Sequence, residues 1–426
     1  MRIAIFSHGH PSFSKGGGEL AAWHLFEGIN AGGAHQAWFI ARAPREMLHP
    51  GTPVAALNER EYLIGGNAEI PDLCATIALG PDSDFAALLR TIRPDVIHFQ
   101  HYVHLGLEMI RAARRTCPDA KIVLTLHEYI AICMNSGQML KTDGRLCHRY
   151  SPRECAQCFP ERAPEDFFLR ERYIKAHFDL VDRFISPSRF LKERYVAWGL
   201  PAVRIEVLEN GIPDGQRQPP RTLAADEARG RFAYFGQINP FKGVDVLLEA
   251  IALLPKRVRR RMSLDIFGSG LDSQPAVYRE RVTELLADNA RTVRLHGAYE
   301  PHEMEHLLAG IDWVLMGSVW WENSPLVIQE AFAHGRPVIC SDIGGMAEKV
   351  QDGVNGLHFR TGSAESLVDK LTVALGTPGL WDRLRANAPK PLTPQGAARQ
   401  HLALYREPLS RPEAAKPAAV PQASVA

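Results

Sequence analysis

Short runs of β-branched and aromatic residues alternate along this chain with longer stretches of helical periodicity. That alternation constrains the fold more than any other feature. A strand followed by a helix and then another strand builds a βαβ unit, and repeated units build a parallel sheet. In the first half the strand runs are Arg2–Ser7, Ala37–Ala41, Val96–Gln100, Lys121–His127 and Arg183–Ser186. In the second half they are Phe232–Gly236, Leu264–Gly268, Val293–His296, Trp313–Met316 and Pro337–Ser341. Between them, Val244, Leu247, Leu248 and Ile251 fall on one helical face. Ten strands are many for one open sheet, so the chain is expected to be α/β, with two doubly wound parallel-sheet domains.

Composition narrows the class of protein. Of 426 residues, 46% are hydrophobic and 23% charged, which suits a globular chain with ordinary cores. The formal net charge of +1 gives no overall field for nucleic acid. No apolar run approaches the roughly 18 residues of a membrane span, and the N-terminus reads as a buried strand rather than a signal peptide. A cytoplasmic location is expected, with the seven cysteines mostly reduced. The Pro- and Gly-rich stretch from Gly211 to Pro220 marks a linker, and the Pro/Ala/Ser tail after about Pro408 is expected to be disordered. The basic run Lys256–Arg261 is short and isolated, so it reads as a solvated helix end.

The richest segment is Trp320-Trp321-Glu322-Asn323-Ser324-Pro325-Leu326-Val327-Ile328-Gln329-Glu330. Ser324 before Pro325 resembles an N-cap with proline at the first helical position, which places Glu322 just before the helix and Glu330 inside it. A helix start offers unpaired N–H groups and a positive dipole end, which suit a diphosphate, and flanking carboxylates can accept from sugar hydroxyls. The plain alternative is an acidic helix start with a second glutamate facing solvent. Two further turns favour the ligand reading. Gly236-Gln237-Ile238-Asn239-Pro240-Phe241-Lys242-Gly243 ends a strand and opens a helix with a lysine, and Gly268-Ser269-Gly270 ends another strand. All three lie at strand C-termini, where open α/β sheets bind ligands.

These residues resemble the retaining glycosyltransferases of family four, which have the GT-B fold. The hallmark is two glutamates eight positions apart, here Glu322 and Glu330. The likeness continues through Gly344-Gly345-Met346-Ala347-Glu348, Asp352-Gly353-Val354-Asn355-Gly356, Ser186-Pro187-Ser188 and Glu209-Asn210-Gly211, and covers the chain to about residue 405. It implies two Rossmann-like domains facing each other across a cleft. An acceptor-binding domain would span 1–207 and a nucleotide-sugar domain 208–385. A C-terminal helix over 386–406 would pack back on the first domain, followed by a tail over 407–426. It also implies that Glu330 holds the donor ribose, Glu322 contacts the transferred sugar and Lys242 binds the diphosphate. Amides from Asn323 through Ser324 and Pro325 to Leu326 would face the sugar and phosphates. One departure stands out: where the family usually has arginine, this chain has Gln237, which weakens the expected grip on the diphosphate.

In the first half, Gly16, Gly17 and Gly18 follow a strand and precede an amphipathic helix, without the G-x-G-x-x-G spacing of a dinucleotide site. They match the family's glycine motif facing the donor phosphates. His127 ends an apolar strand and matches the family's histidine near the reacting sugar, with Glu128 where aspartate is usual. Cys133, Cys147, Cys155 and Cys158 cluster in an insertion and end in Cys-x-x-Cys, the spacing of thiolate metal ligation. A structural zinc or four reduced or redox-active thiols both fit. Cys74, Cys117 and Cys340 are expected to be buried, and His98, His101 and His104 to be packing residues. The resemblance implies transfer from a nucleotide-diphosphate sugar to a glycan or lipid-linked acceptor, in cell-surface polysaccharide synthesis. No cofactor is obligatory, and peripheral contact with the inner membrane face fits such an acceptor. The rivals are a nucleotide-sugar epimerase of the same architecture and a non-catalytic binding protein.

Overall fold

The computed structural model describes residues 1–14, 16–49, 51–66, 73–214, 219–224 and 227–408. Lys15, residues 215–218 of the expected linker and the tail from residue 409 lie outside the described residues.

The first sheet contains β1 (Arg2–Ser7), β2 (Gln36–Ala43), β3 (Val54–Ala56), β4 (Glu61–Gly65), β5 (Val96–Phe99), β6 (Lys121–Thr125), β7 (Arg183–Ser186) and β8 (Ile205–Val207). Their order is β3-β4-β2-β1-β5-β6-β7-β8, and all neighbours are parallel except β3 with β4. The second sheet contains β9 (Arg231–Phe235), β10 (Ser263–Phe267), β11 (Val293–Gly297), β12 (Trp313–Met316), β13 (Val338–Ser341) and β14 (Gly356–Phe359). It runs β11-β10-β9-β12-β13-β14, wholly parallel. Each sheet therefore reverses direction once, between β1 and β5 and between β9 and β12, and a doubly wound fold opens a ligand crevice at that point.

Both sheets are covered on both faces. In β1, Ala4 and Phe6 join one core cluster while Ile3 and Ile5 join the other. In β12, Trp313 and Leu315 face one cluster and Val314 and Met316 the other. Burial on both faces is why these strands read as continuous apolar runs.

The helix Pro394–Arg406 returns to the first sheet and lies against the helix Gly17–Ala31. Gly28 makes that approach possible: a β-carbon there would meet the Pro394 carbonyl oxygen at 2.3 Å. Lys121, at the start of β6, buries its ammonium against the end of this helix and donates to the carbonyls of Leu404 at 3.0 Å and Tyr405 at 2.9 Å. A cation there satisfies carbonyls that have no partner within the helix.

One expectation about the scattered cysteines fails. Cys340 is buried and Cys117 half-buried, but Cys74 is exposed. The run Lys256–Arg259 forms a short helix with no buried residue. No helix among the described residues is long and apolar enough to cross a membrane.

Candidate active site in the interdomain cleft

The site forms where the C-terminal ends of β1 and β6 face those of β9 and β12. The loop after β12 carries Glu322, which is only 6% exposed. Three donors converge on its Oε1 atom: Lys242 Nζ at 2.6 Å, Ser318 Oγ at 2.8 Å and Trp320 Nε1 at 3.1 Å. Lys242 comes from the turn after β9, and Ser318 and Trp320 from the same loop as Glu322. Sequence reasoning overlooked Ser318 and Trp320, although polar side chains four and two positions before a glutamate in a tight loop are well placed to hold it. Backbone geometry locks the loop from the other side. Gly345 N donates to the Glu322 carbonyl at 2.7 Å, and a β-carbon on Gly345 would lie 1.5 Å from the Asn323 carbonyl oxygen.

The helix that follows spans Leu326–Ala333, with Pro325 as its N-cap and no side-chain cap. The expected Ser324 cap is therefore wrong by one residue. Pro325 adopts an extended ψ of 120°, and Ser324 lies before the cap with its buried hydroxyl unpartnered. The first-turn amides of this helix consequently have no side-chain acceptor, the condition under which a helix start attracts an anion. Glu330 lies inside the helix, and burial pushes its carboxyl up to about 7. Gln237 is exposed, and its amide oxygen accepts from Asn239 at 3.4 Å.

The first domain supplies the opposite wall. A β-carbon on Gly17 would lie 3.9 Å from Leu326, and one on Gly18 would lie 3.1 Å from His8 and 4.0 Å from His127. The expected glycine turn before the helix is not formed: Gly16 is the N-cap of the helix Gly17–Ala31, and Gly17 and Gly18 in its first turn approach Leu326 and His127. Gly16 sits against the carboxylate of Glu19, which pairs with His8 at 3.2 Å. Burial pushes the Glu19 carboxyl up, but His8 and Ser14 outweigh it and bring it down to about 2. His127 Nε2 lies 2.9 Å from the amide oxygen of Gln100, an acceptor, so Nε2 carries the proton. Burial, with His8 nearby, lowers the His127 pKa to about 3, so the ring is neutral at ordinary pH. Glu128 turns inward to Tyr102 at 3.2 Å, and burial pushes it up to about 7.

Asn323 joins the two walls. Its Nδ2 donates to the His127 carbonyl at 3.2 Å, and its Oδ1 accepts from Ser188 Oγ at 2.6 Å. Glu348 accepts from the amides of Arg189 at 2.9 Å and Phe190 at 2.8 Å, capping a first-domain helix from the second domain.

The four cysteines of the insertion, Cys133, Cys147, Cys155 and Cys158, line one cavity of about 30 Å³. Burial raises the Cys133 thiol above its ordinary value, against the nearby backbone groups of Asn135 and Met139, which favour the thiolate. Among the described residues, no three His, Cys, Asp or Glu side chains converge closely enough to hold a metal ion as placed. The thiols supply the donor type and number for a soft metal but would have to turn inward to ligate one.

Two doubly wound domains facing each other, with an uncapped helix start, Lys242 and Glu322 between them, define a protein of the GT-B type. Comparison with known proteins agrees. The model for Glycosyltransferase Family 4 matches residues 15–216, and that for Glycosyl transferases group 1 matches residues 216–391. The chain belongs to the family-four glycosyltransferases. It is 28% identical over 205 residues to the lipopolysaccharide 1,2-N-acetylglucosaminetransferase of Salmonella typhimurium, covering 45% of this chain and 53% of that one. The match thus spans about half of that relative's length. It is 26% identical over 422 aligned residues to the glycogen synthase of Mycobacterium tuberculosis, covering 92% of this chain and 90% of the synthase. Among solved structures, Anabaena HepE in complex with UDP and glucose superposes with a TM-score of 0.64 at 18% identity, covering 95% and 99% of the two chains. The sucrose-phosphate synthase of Thermosynechococcus elongatus gives 0.67 at 18%, covering 95% and 98%. At these identities the structural likeness speaks for the fold.

Proposed function

We propose that this chain is a retaining glycosyltransferase that moves a sugar from a nucleotide-diphosphate sugar to a glycan or lipid-linked acceptor in cell-surface polysaccharide synthesis. One observation carries the reading: Lys242, Glu322 and the uncapped helix at Leu326 meet Gly17, Gly18 and His127 across one cleft. The anion-attracting groups suit a diphosphate, and Glu330 in the same helix suits a ribose. The relationship to a lipopolysaccharide N-acetylglucosaminetransferase supports an envelope acceptor.

In the proposed reaction the acceptor hydroxyl oxygen forms a bond to the anomeric carbon on the face the nucleotide leaves. The bond from that carbon to the phosphate oxygen breaks, its electron pair stays on the diphosphate, and the hydroxyl proton passes to a diphosphate oxygen. Lys242 and the helix start stabilise the growing negative charge, and orientation supplies much of the remainder. His127, neutral and anchored by Gln100, orients the sugar rather than exchanging protons at neutral pH. Zinc in the cysteine insertion belongs to the same reading as a structural ion that takes no part in these steps.

A thermal-shift panel of nucleotide-diphosphate sugars, followed by product analysis with and without glycan or lipid-linked acceptors, tests the proposal. A donor that stabilises the protein and yields product only with acceptor supports it. Isomerisation of the donor alone would identify an epimerase, and binding without turnover a non-catalytic relative.

A further inference from the structure

Trp321 immediately precedes Glu322 in the second domain, yet its side chain belongs to the hydrophobic core cluster of the first domain and is 7% exposed. Its ring stacks on Phe190 with centroids 5.1 Å apart and meets the edge of His148 at 5.3 Å. Its indole N–H donates to the Cys147 carbonyl at 3.1 Å. The Arg194 guanidinium lies 5.7 Å from the Trp321 ring and donates to the His148 carbonyl at 2.7 Å, tying the two walls of the socket together. One wall is the cysteine-bearing insertion. The other is the helix Arg189–Ala197.

The neighbouring tryptophan does the opposite job. Trp320 stays in its own domain and donates to Glu322 Oε1. Two adjacent indoles therefore link the first-domain socket, the loop backbone and the Glu322 carboxylate. Adjacent α-carbons are 3.8 Å apart across a rigid peptide, so a fixed Trp321 leaves little freedom to the α-carbon of Glu322. Gly345, against the Asn323 carbonyl, removes the remaining room on the far side.

We propose that Trp321 is a positioning residue, and that the cysteine-bearing insertion is the socket through which the acceptor domain sets the placement of Glu322. The inference rests on the transferase reading for its kinetic consequence, but the structural coupling can be observed without it. When the two domains separate, Trp321 leaves its socket and Glu322 loses its support. The acid is thus correctly placed only when the cleft is closed, which ties turnover to closure and discourages reaction in the open form.

The test compares Trp321→Ala, Trp321→Phe and the socket variant Arg194→Ala with the wild type. Misplacement of a reacting group by about 1 Å costs on the order of 100-fold, so Trp321→Ala should lower kcat by about 10- to 100-fold. Lys242 and the helix start are untouched, so the Kd for a nucleoside diphosphate should change by less than about 3-fold, because less than about 0.7 kcal/mol of binding is at stake. Trp321→Phe keeps the stack and should recover most of the turnover. Arg194→Ala, which alters only the first domain, should lower kcat in the same direction and raise hydrogen–deuterium exchange across residues 318–325. Unchanged exchange in that segment in both Arg194→Ala and Trp321→Ala would overturn the coupling, whatever the activity. A loss of nucleoside-diphosphate affinity as large as the loss of kcat would overturn the positioning role. Absence of transfer by the wild type with every donor would count against the transferase reading alone, leaving the exchange measurement to judge the socket.

Discussion

Lys242 Nζ lies 2.6 Å from Glu322 Oε1, so the cation proposed to meet a diphosphate is already paired with the acid proposed to meet the sugar. The pair is mostly buried, with the lysine side chain 25% exposed and the glutamate 8%. Ser318 and Trp320 share the same oxygen, so Glu322 keeps two donors when Lys242 turns to phosphate.

That arrangement separates the effects of two substitutions. Lys242→Ala removes a charge-assisted contact worth about 1.5–3 kcal/mol, which predicts roughly 10- to 150-fold weaker nucleoside-diphosphate binding by calorimetry. Glu322→Gln frees the lysine, so diphosphate affinity is expected to hold or improve while turnover falls at least about 10-fold, in line with loss of a charged hydrogen-bonding group. Equal losses of affinity in both variants would contradict the assigned roles.

Gln237 offers a gain-of-function test. It is exposed at the turn that carries Lys242, and a charged hydrogen bond exceeds a neutral one by about 1–1.5 kcal/mol. Gln237→Arg should tighten nucleoside-diphosphate binding by up to about 10-fold. A weaker binder would show that this position does not face the phosphates.

Burial holds the Glu330 carboxyl at about 7, above its ordinary 4.5. Between these values the folded chain keeps a proton that the unfolded chain has released. The contribution of this group to stability therefore falls as pH rises through that window. Ribose hydroxyls donate best to the ionised form, so donor affinity should rise between pH 6 and 8 as the group ionises. Glu330→Gln should flatten that profile, and an unaltered slope in the variant would assign the pH dependence elsewhere.

The cysteine insertion predicts a metal content. Zinc bound by Cys133, Cys147, Cys155 and Cys158 should appear as about one equivalent per chain in elemental analysis, the stoichiometry of a four-thiolate site. Chelation should then lower Tm and expose all four thiols to alkylation. Well under one equivalent, with a chelator-insensitive Tm, would leave four reduced thiols.

The sheets were legible because strands buried on both faces leave unbroken apolar runs, as in β1, β7 and β12. Four strands escaped, among them β4 (Glu61–Gly65), whose apolar core of Tyr62, Leu63 and Ile64 is only three residues long between Glu61 and Gly65. β3 and β8 have three residues each, and β14 begins with Gly356. The Ser324-Pro325 pair misled by one residue because the proline itself takes the capping conformation. The cleft residues could be named because turns after strands carry recognisable Gly, Lys and Glu spacings. The destination of Trp321 could not, since nothing local tells a tryptophan that fills its own domain from one that fills its neighbour. Cys74 misled for a similar reason: a thiol is usually buried, and here it meets Tyr173 at the surface, 3.8 Å away.

The seat of Lys121 beneath the last helix has a consequence for how the molecule is made. Its ammonium finds its carbonyl partners at Leu404, Tyr405 and Glu407, separated from it by 283, 284 and 286 positions. During synthesis the amino-terminal lobe emerges early but must wait for almost the entire polypeptide before its floor is closed. Ribosome-bound nascent chains ending short of Pro394 should thus carry a protease-sensitive first lobe that hardens only once the final helix is released.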